Sequence, residues 1–206
     1  MARLRTALPG LETGDFPPFT PEGDRRHAAV SLVLRRRGGL EALLIRRARA
    51  EGDPWSGHMA LPGGRRDRSD ADLLATARRE TLEETGVDLE GMGVSLGILD
   101  PLRPSTFRLP PLSIYPFVFA VPPGAIAKPS SHEVDEVLWT PLSVLFAPTA
   151  RGTVRIPLGE ISKDFPCLRV GGRVIWGLTY RILEDFLRRL DAGEPELLAP
   201  SGSISP

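Results

Sequence analysis

The sequence predicts an α/β protein, an α/β/α sandwich built around a mixed β-sheet. Two observations predict it. Short apolar runs of strand length interleave with two convincing helices, and no repeat or second-domain boundary divides the 206 residues. Hydrophobic content is 41% and charged content 25%, the balance of an ordinary soluble domain that can bury a substantial core. Residues 1–26, rich in proline and charge, are expected to wrap irregularly. The domain is expected to fill 27–191, and 192–206 to form a disordered tail.

The elements follow in order. Ala28 to Arg35 is a strand, Gly38-Gly39 a hairpin turn, and Leu40 to Ile45 the returning strand. Arg46 to Ser56 is a loop, and Met59 to Leu61 a short strand ending at Pro62. Ser69 or Asp70 can cap a helix that runs to Thr85 and stops at Gly86. Leu74, Ala77 and Thr81 form a stripe on that helix. Leu82 and Ala75 lie further round, an apolar arc wide enough to pack against more than one surface. Val94 to Leu99 is a strand, Arg103 to Pro111 a proline-rich loop, and Ile114 to Val121 a strongly apolar strand. After a loop over Pro122 to Ser131, Glu133 to Trp139 is a strand and Pro141 to Phe146 a short helix. Val154 to Pro157, Cys167 to Val170 and Arg173 to Ile175 read as further strands, the last two joined at Gly171-Gly172. Leu178, Ile182, Leu183, Phe186, Leu187 and Leu190 recur at helical spacing and predict the final helix.

The chemistry gathers between residues 63 and 87. Glu80, Glu83 and Glu84 sit at i, i+3 and i+4 on the first long helix. At about 100° per residue, Glu83 lies about 60° to one side of Glu80 and Glu84 about 40° to the other. Like charges at these spacings repel by a few tenths of a kcal/mol per exposed pair. A cation among them would relieve that. Carboxylate oxygens are hard ligands that suit Mg²⁺ or Mn²⁺. With Gly63-Gly64 ahead of it, the helix reads as a platform for phosphate chemistry.

This stretch resembles the Nudix box, the signature of the Nudix hydrolases. Gly64 to Asp70 has the box's five-residue gap, and Arg79, Glu80, Glu83, Glu84, Gly86 and Val87 match its later positions in order. Asp70 stands where glutamate is usual, Thr81 where an aliphatic residue is usual, and the spacer is one residue longer. Upstream, Leu43-Leu44-Ile45-Arg46-Arg47 and Gly57-His58-Met59-Ala60-Leu61-Pro62-Gly63-Gly64 are similar to the coenzyme A pyrophosphatase group of that family. There His58 replaces the usual glutamine, and Ala50 to Ser56 departs from the group's loop.

The resemblance implies the Nudix-type α/β/α sandwich and a hydrolase that cuts the pyrophosphate of a nucleoside diphosphate derivative. Coenzyme A is the first expectation, giving 3′,5′-ADP and 4′-phosphopantetheine. The alternatives are an ADP-sugar, a dinucleoside polyphosphate or an NTP, or a non-catalytic nucleotide sensor, which the intact acidic triad opposes. It implies Mg²⁺ or Mn²⁺ held by Glu80, Glu83 and Glu84, with Glu133 as an additional ligand, and Arg79 orienting the glutamates. Glu136, on the same returning segment, is the other candidate acid there. Family members often form homodimers.

Other residues stand as candidates beside these. Arg46 and Arg47 end a strand that leads toward the glycines, and either could bind a phosphate bidentately. His58 could contact substrate or only hold its loop. Trp55 could stack on an adenine base or anchor its loop. Gly63 and Gly64, counted with the substrate-binding set, make no P-loop, since no Lys-Ser/Thr follows. His27, His58 and His132 are scattered and suggest no zinc site. Zero net charge argues against bulk nucleic-acid binding, and no apolar run approaches the ~20 residues of a membrane span. One cysteine, Cys167, allows no internal disulfide and fits a reducing cytosol, and no signal-peptide pattern opens the chain. A cytoplasmic location is expected.

Overall fold

A computed structural model describes residues 26–50, 56–104, 112–159 and 161–193. The expectations for residues 1–25, for Trp55, for 105–111 and for 194–206 lie outside these described residues.

The first hairpin is β1 (His27–Arg37) and β2 (Gly39–Arg47), turned at Gly38 with φ +77°. The two strands pair only near their turn, from Leu34↔Ala42 to Arg37↔Gly39. Further from the turn they part, and residues 59–65 fill the gap. In that wedge β3 (Met59–Ala60) pairs with β2, and β4 (Gly63–Arg65) pairs with the start of β1. Between them the Ser31 N–H donates to the Pro62 carbonyl at 2.8 Å. The strand β4 was not expected from sequence, because two glycines carry little strand propensity. It forms because a Cβ on Gly63 would stand 2.3 Å from the Ala29 carbonyl oxygen, so only glycine lets the backbones approach this closely.

The sheet continues through β6 (Ser113–Ala120), parallel to β1 over eight register pairs, to β5 (Val94–Ile98), antiparallel at its edge. On the other side β7 (Val134–Pro141) pairs antiparallel with β2. The described residues thus make a seven-stranded mixed sheet. One face carries Ala29, Val33, Leu43 and Phe117 against helix α1 (Leu73–Thr85), through Leu73 and Ala77. The opposite face carries Leu32, Leu34, Leu44 and Val118 against helix α3 (Gly177–Gly193), through Leu183, Phe186, Leu187 and Leu190. Each Leu, Val or Phe among them is worth about 1.5–3 kcal/mol when fully buried. The expected α/β/α sandwich with a mixed sheet is the observed fold.

Between β7 and α3 run the short helix α2 (Leu142–Phe146), a single 3₁₀ turn, and a three-stranded antiparallel sheet. Its strands are β8 (Arg151–Leu158), β9 (Ile161–Val170) and β10 (Arg173–Trp176). The first two are longer than expected, because charged and polar residues alternate along them and hide the strand pattern.

Two details of α1 differ from expectation. The cap is Asp72, whose carboxylate accepts the Ala75 N–H at 2.7 Å, and not Ser69 or Asp70. Ser69 instead bonds Asp67 Oδ1 through both its N–H and its hydroxyl, and Asp70 faces Arg79. Leu82 is exposed, so the buried arc of the helix is narrower than expected. Gly86, at φ +70°, ends the helix as expected. No helix among the described residues is long and apolar enough to cross a membrane.

Candidate active site

Helix α1, the β3–β4 wedge and the start of β7 converge on the three glutamates. The helix is fixed by its ends. At the C-terminal end, Gly86 N–H bonds the Leu82 carbonyl, Lys128 N–H the Thr85 carbonyl and Ser130 N–H the Glu84 carbonyl. These bonds satisfy carbonyls that a helix end leaves open, and they deliver the chain to Glu133. Midway, Thr81 Oγ1 lies 2.8 Å from Ser31 Oγ on β1 and 2.7 Å from the Ala77 carbonyl. The hydroxyl that departs from the family pattern therefore has a buried polar partner.

The glutamates occupy graded environments. Glu84 is buried, the Glu80 side chain is mostly buried, and Glu83 is over half exposed. The Gly63 N–H donates to Glu84 Oε2 at 2.8 Å. Gly64 leaves room for Glu80, since a Cβ there would stand 2.5 Å from the Glu80 carboxyl carbon. Burial pushes the Glu84 carboxyl up to about 8. The Gly63 bond and the charge of Arg47 oppose this, and Glu80 and Glu133 reinforce it. Burial also raises Glu80, against the pull of Arg79 and with repulsion from Glu83 and Glu133.

Arg79 ties the helix to the turn before it. Its Nε and Nη2 donate to Asp70 Oδ1 and Oδ2 at 2.8 and 3.0 Å, a bidentate pair. Its Nη1 donates to Glu80 Oε1 at 2.9 Å and to Glu83 Oε2 at 3.0 Å. Asp70 also accepts from the Asp67 N–H and the Thr76 hydroxyl. Burial raises the Asp70 carboxyl, but these hydrogen bonds outweigh it and hold the group below its ordinary value. Asp70 was not singled out as a site residue from sequence. Its spacing from Gly64 was the available signal.

The remaining candidates separate. Arg47 N–H bonds the His58 carbonyl at 3.0 Å, and the Arg47 charge acts on Glu84. Arg46 is drawn to Glu136, 3.4 Å away, and toward Asp135. Glu136 is gripped by Arg173 through both of its oxygens, whereas Glu133 is the acid whose charge reaches Glu80 and Glu84. The His58 ring stands edge-on to Trp176.

The donor set suits a hard divalent cation: Glu80, Glu83, Glu84 and Glu133 are all carboxylates, and burial and mutual repulsion raise the Glu80 and Glu84 carboxyls, a cost that a cation among them would relieve. The fit is one of chemistry. As the side chains stand, Glu83 turns to Arg79 and Glu84 to Gly63, and no three ligating groups among the described residues close around a point.

Comparison with known proteins bears on the family and the fold. The model of the NUDIX domain matches residues 25–161. Mitochondrial coenzyme A diphosphatase NUDT8 of Mus musculus is 33% identical over 180 residues, 84% of this chain and 83% of the mouse protein. Protein C14C4.10c of Schizosaccharomyces pombe is 31% identical over 171 residues, 73% of this chain and 52% of the yeast protein, so the chain spans about half the length of that relative. A solved MutT/nudix family protein from Enterococcus faecalis shares the fold at a TM-score of 0.55 and 18% identity, covering 91% of this chain and 70% of that one.

Proposed function

This chain belongs to the Nudix family and is a pyrophosphohydrolase, and we propose that it is a divalent-cation-dependent coenzyme A diphosphatase, releasing 3′,5′-ADP and 4′-phosphopantetheine. The observation that carries the chemistry is a pair of carboxylates, Glu84 buried and Glu80 mostly so, set against the Gly63–Gly64 backbone with Arg47 and Arg79 beside them. For the substrate, the support is the likeness to the mouse diphosphatase over most of both chains, together with the Leu43–Arg47 and Gly57–Gly64 segments.

Glu80, Glu83 and Glu84 would hold Mg²⁺ or Mn²⁺, with Glu133 as a further donor. The cation would neutralise the diphosphate and acidify the attacking water. Arg79, fixed by Asp70, sets the direction of Glu80 and Glu83. Arg47 takes phosphate oxygens in its planar fork. A site carboxylate accepts the proton of the water as its oxygen bonds to one phosphorus. The bond from that phosphorus to the bridging oxygen breaks, and the other phosphate leaves with the electron pair, its charge held by arginine.

The second reading is another nucleotide substrate, favoured by His58 where glutamine is usual in the coenzyme A group. One assay separates the two. The protein is incubated with coenzyme A, ADP-ribose, a diadenosine polyphosphate and an NTP, with Mg²⁺ or Mn²⁺ or with EDTA, and the products are separated. Release of 3′,5′-ADP only with the cation is expected. Intact coenzyme A beside cleaved ADP-ribose would move the substrate to the second reading, and full turnover in EDTA would remove the cation. The cytoplasm suits its single cysteine, Cys167, which allows no internal disulfide and fits a reducing compartment. The mouse relative is named as mitochondrial.

A further inference from the structure

We propose that Trp176, with His58 and Phe165, forms the surface on which the purine base of the substrate stacks. The proposal rests on the reading of the site as a nucleotide pyrophosphohydrolase and adds the base subsite to it. Arg47 lies opposite a bulge at Gly57 and His58, next to the β2–β3 ladder: Arg47 N–H bonds the His58 carbonyl, and Gly57, at φ +75°, donates its N–H to the Arg47 carbonyl at 3.1 Å. Side chains so opposed leave one face with roots roughly 5 Å apart. The His58 ring therefore begins beside the arginine whose charge acts on Glu84.

From His58 a line of rings runs outward. Trp176 on β10 stands 5.1 Å from His58 at an interplanar angle of 75°, and Phe165 on β9 stands 5.4 Å from Trp176. All three are half-buried. Among the described residues Trp176 and Phe165 join neither of the two apolar cores that hold the sheet to its helices. The sandwich does not use these rings for its packing. Cations bracket the line: Arg47 at its inner end, and Lys163, whose Nζ lies 5.6 Å from the Phe165 ring, at its outer end. Aromatic faces flanked by positive charge suit a flat base joined to phosphates. Trp176 lies on the order of 10 Å from the root of Arg47, a span that a ribose and its phosphate can bridge.

The test measures binding and turnover separately. The binding probes are 5′-ADP and 3′,5′-ADP, with inorganic pyrophosphate as the probe that lacks a base. In Trp176→Ala the Kd for both adenine nucleotides, and the KM for whichever nucleotide substrate the enzyme cuts, should rise on the order of 10-fold, the scale of one lost stacking contact. Pyrophosphate binding and kcat should change little, and Trp176→Phe should recover most of the affinity. Tryptophan emission gives an independent check, since quenching by 5′-ADP should be largely lost in Trp176→Phe while Trp55 and Trp139 remain. Should Trp176→Ala not fold, Phe165→Leu supplies the same comparison with a smaller rise. Unchanged Kd values in these variants, or undiminished quenching in Trp176→Phe, would overturn the subsite. Failure to cut coenzyme A would strike the proposed substrate and leave this result standing, because the binding measurements need no turnover.

Discussion

Asp70 and Glu84 are both buried carboxylates, one ahead of helix α1 and one in its last turn, and their surroundings drive them in opposite directions. Asp70 meets a bidentate guanidinium, a hydroxyl and a backbone N–H, and it is held below its ordinary range. Glu84 meets one backbone N–H and the charges of other acids, and it is pushed up to about 8. The helix adds to the contrast, since its N-terminus favours negative charge and its C-terminus opposes it. Burial alone therefore does not give a carboxylate its role. Asp70 has its counter-charge built into the chain, through Arg79. Glu84 lacks one of comparable strength, which is what a ligand for an incoming cation requires.

Removing the charge at each position should break the comparison in different measurements. Glu84→Gln keeps shape and the acceptor for Gly63. It should lower kcat/KM by roughly 10²-fold or more, the scale of a lost electrostatic contact of ~3 kcal/mol. The metal-free variant should melt no lower than the wild type at pH 8. Steady-state kinetics at saturating Mg²⁺, beside a thermal melt, reads both. Asp70→Asn should show the reverse emphasis. It leaves Arg79 without its strongest partner and should cost roughly 2–3 kcal/mol in denaturant unfolding. Activity should fall through the misplaced Glu80 and Glu83, and a variant as stable as the wild type would show that the clamp contributes nothing.

Two smaller changes sharpen the same contrast. Gly64→Ala places a methyl where the Glu80 carboxylate lies, and the flexible end of that side chain can move aside. Turnover should drop with little change in melting temperature. A normal rate would mean that Glu80 does not act from its observed position. Thr76→Val removes one of the four bonds to the Asp70 carboxylate and should cost about 1 kcal/mol, with catalysis retained. Equilibrium unfolding measures it directly.

The hydrophobic pattern made the sandwich legible, because β1, β6 and α3 carry their periods plainly in Leu32 to Leu34, Ile114 to Ala120 and Leu183 to Leu190. The gathering of Glu80, Glu83 and Glu84 beside Gly63, Gly64 and Arg79 was legible from spacing. The start of α1 was not, since Ser69, Asp70 and Asp72 are all competent caps and only the tertiary claim of Arg79 on Asp70 decides among them. The separation of Arg46 from Arg47 was equally hidden. Adjacent in sequence, one is drawn to Glu136 and the other acts on Glu84, and the acids that divide them lie some forty to ninety residues away. Trp176 read as the residue after a short strand, and only β10 passing beside β3 brings it to His58.

The difference between the two carboxylates has a pH signature that tests it most directly. Glu84 carries a folded-state pKa of about 8 against an ordinary 4.5. The native protein then holds a proton that the unfolded chain has released, and this contribution to stability is complete below about 4.5 and lost as pH rises through about 8. Asp70, held low, contributes stability that is present above its ordinary 3.8 and lost only as pH falls below it. Thermal melts of the metal-free protein at pH 6 and pH 9, repeated with Mn²⁺, read the Glu84 side. The metal-free melting temperature should fall from pH 6 to pH 9. Mn²⁺ should raise it more at pH 9, because the cation replaces the proton, and Glu84→Gln should flatten the pH slope and blunt the response. A wild-type melting temperature indifferent to Mn²⁺ at both pH values would contradict the assignment of Glu84 as a cation ligand.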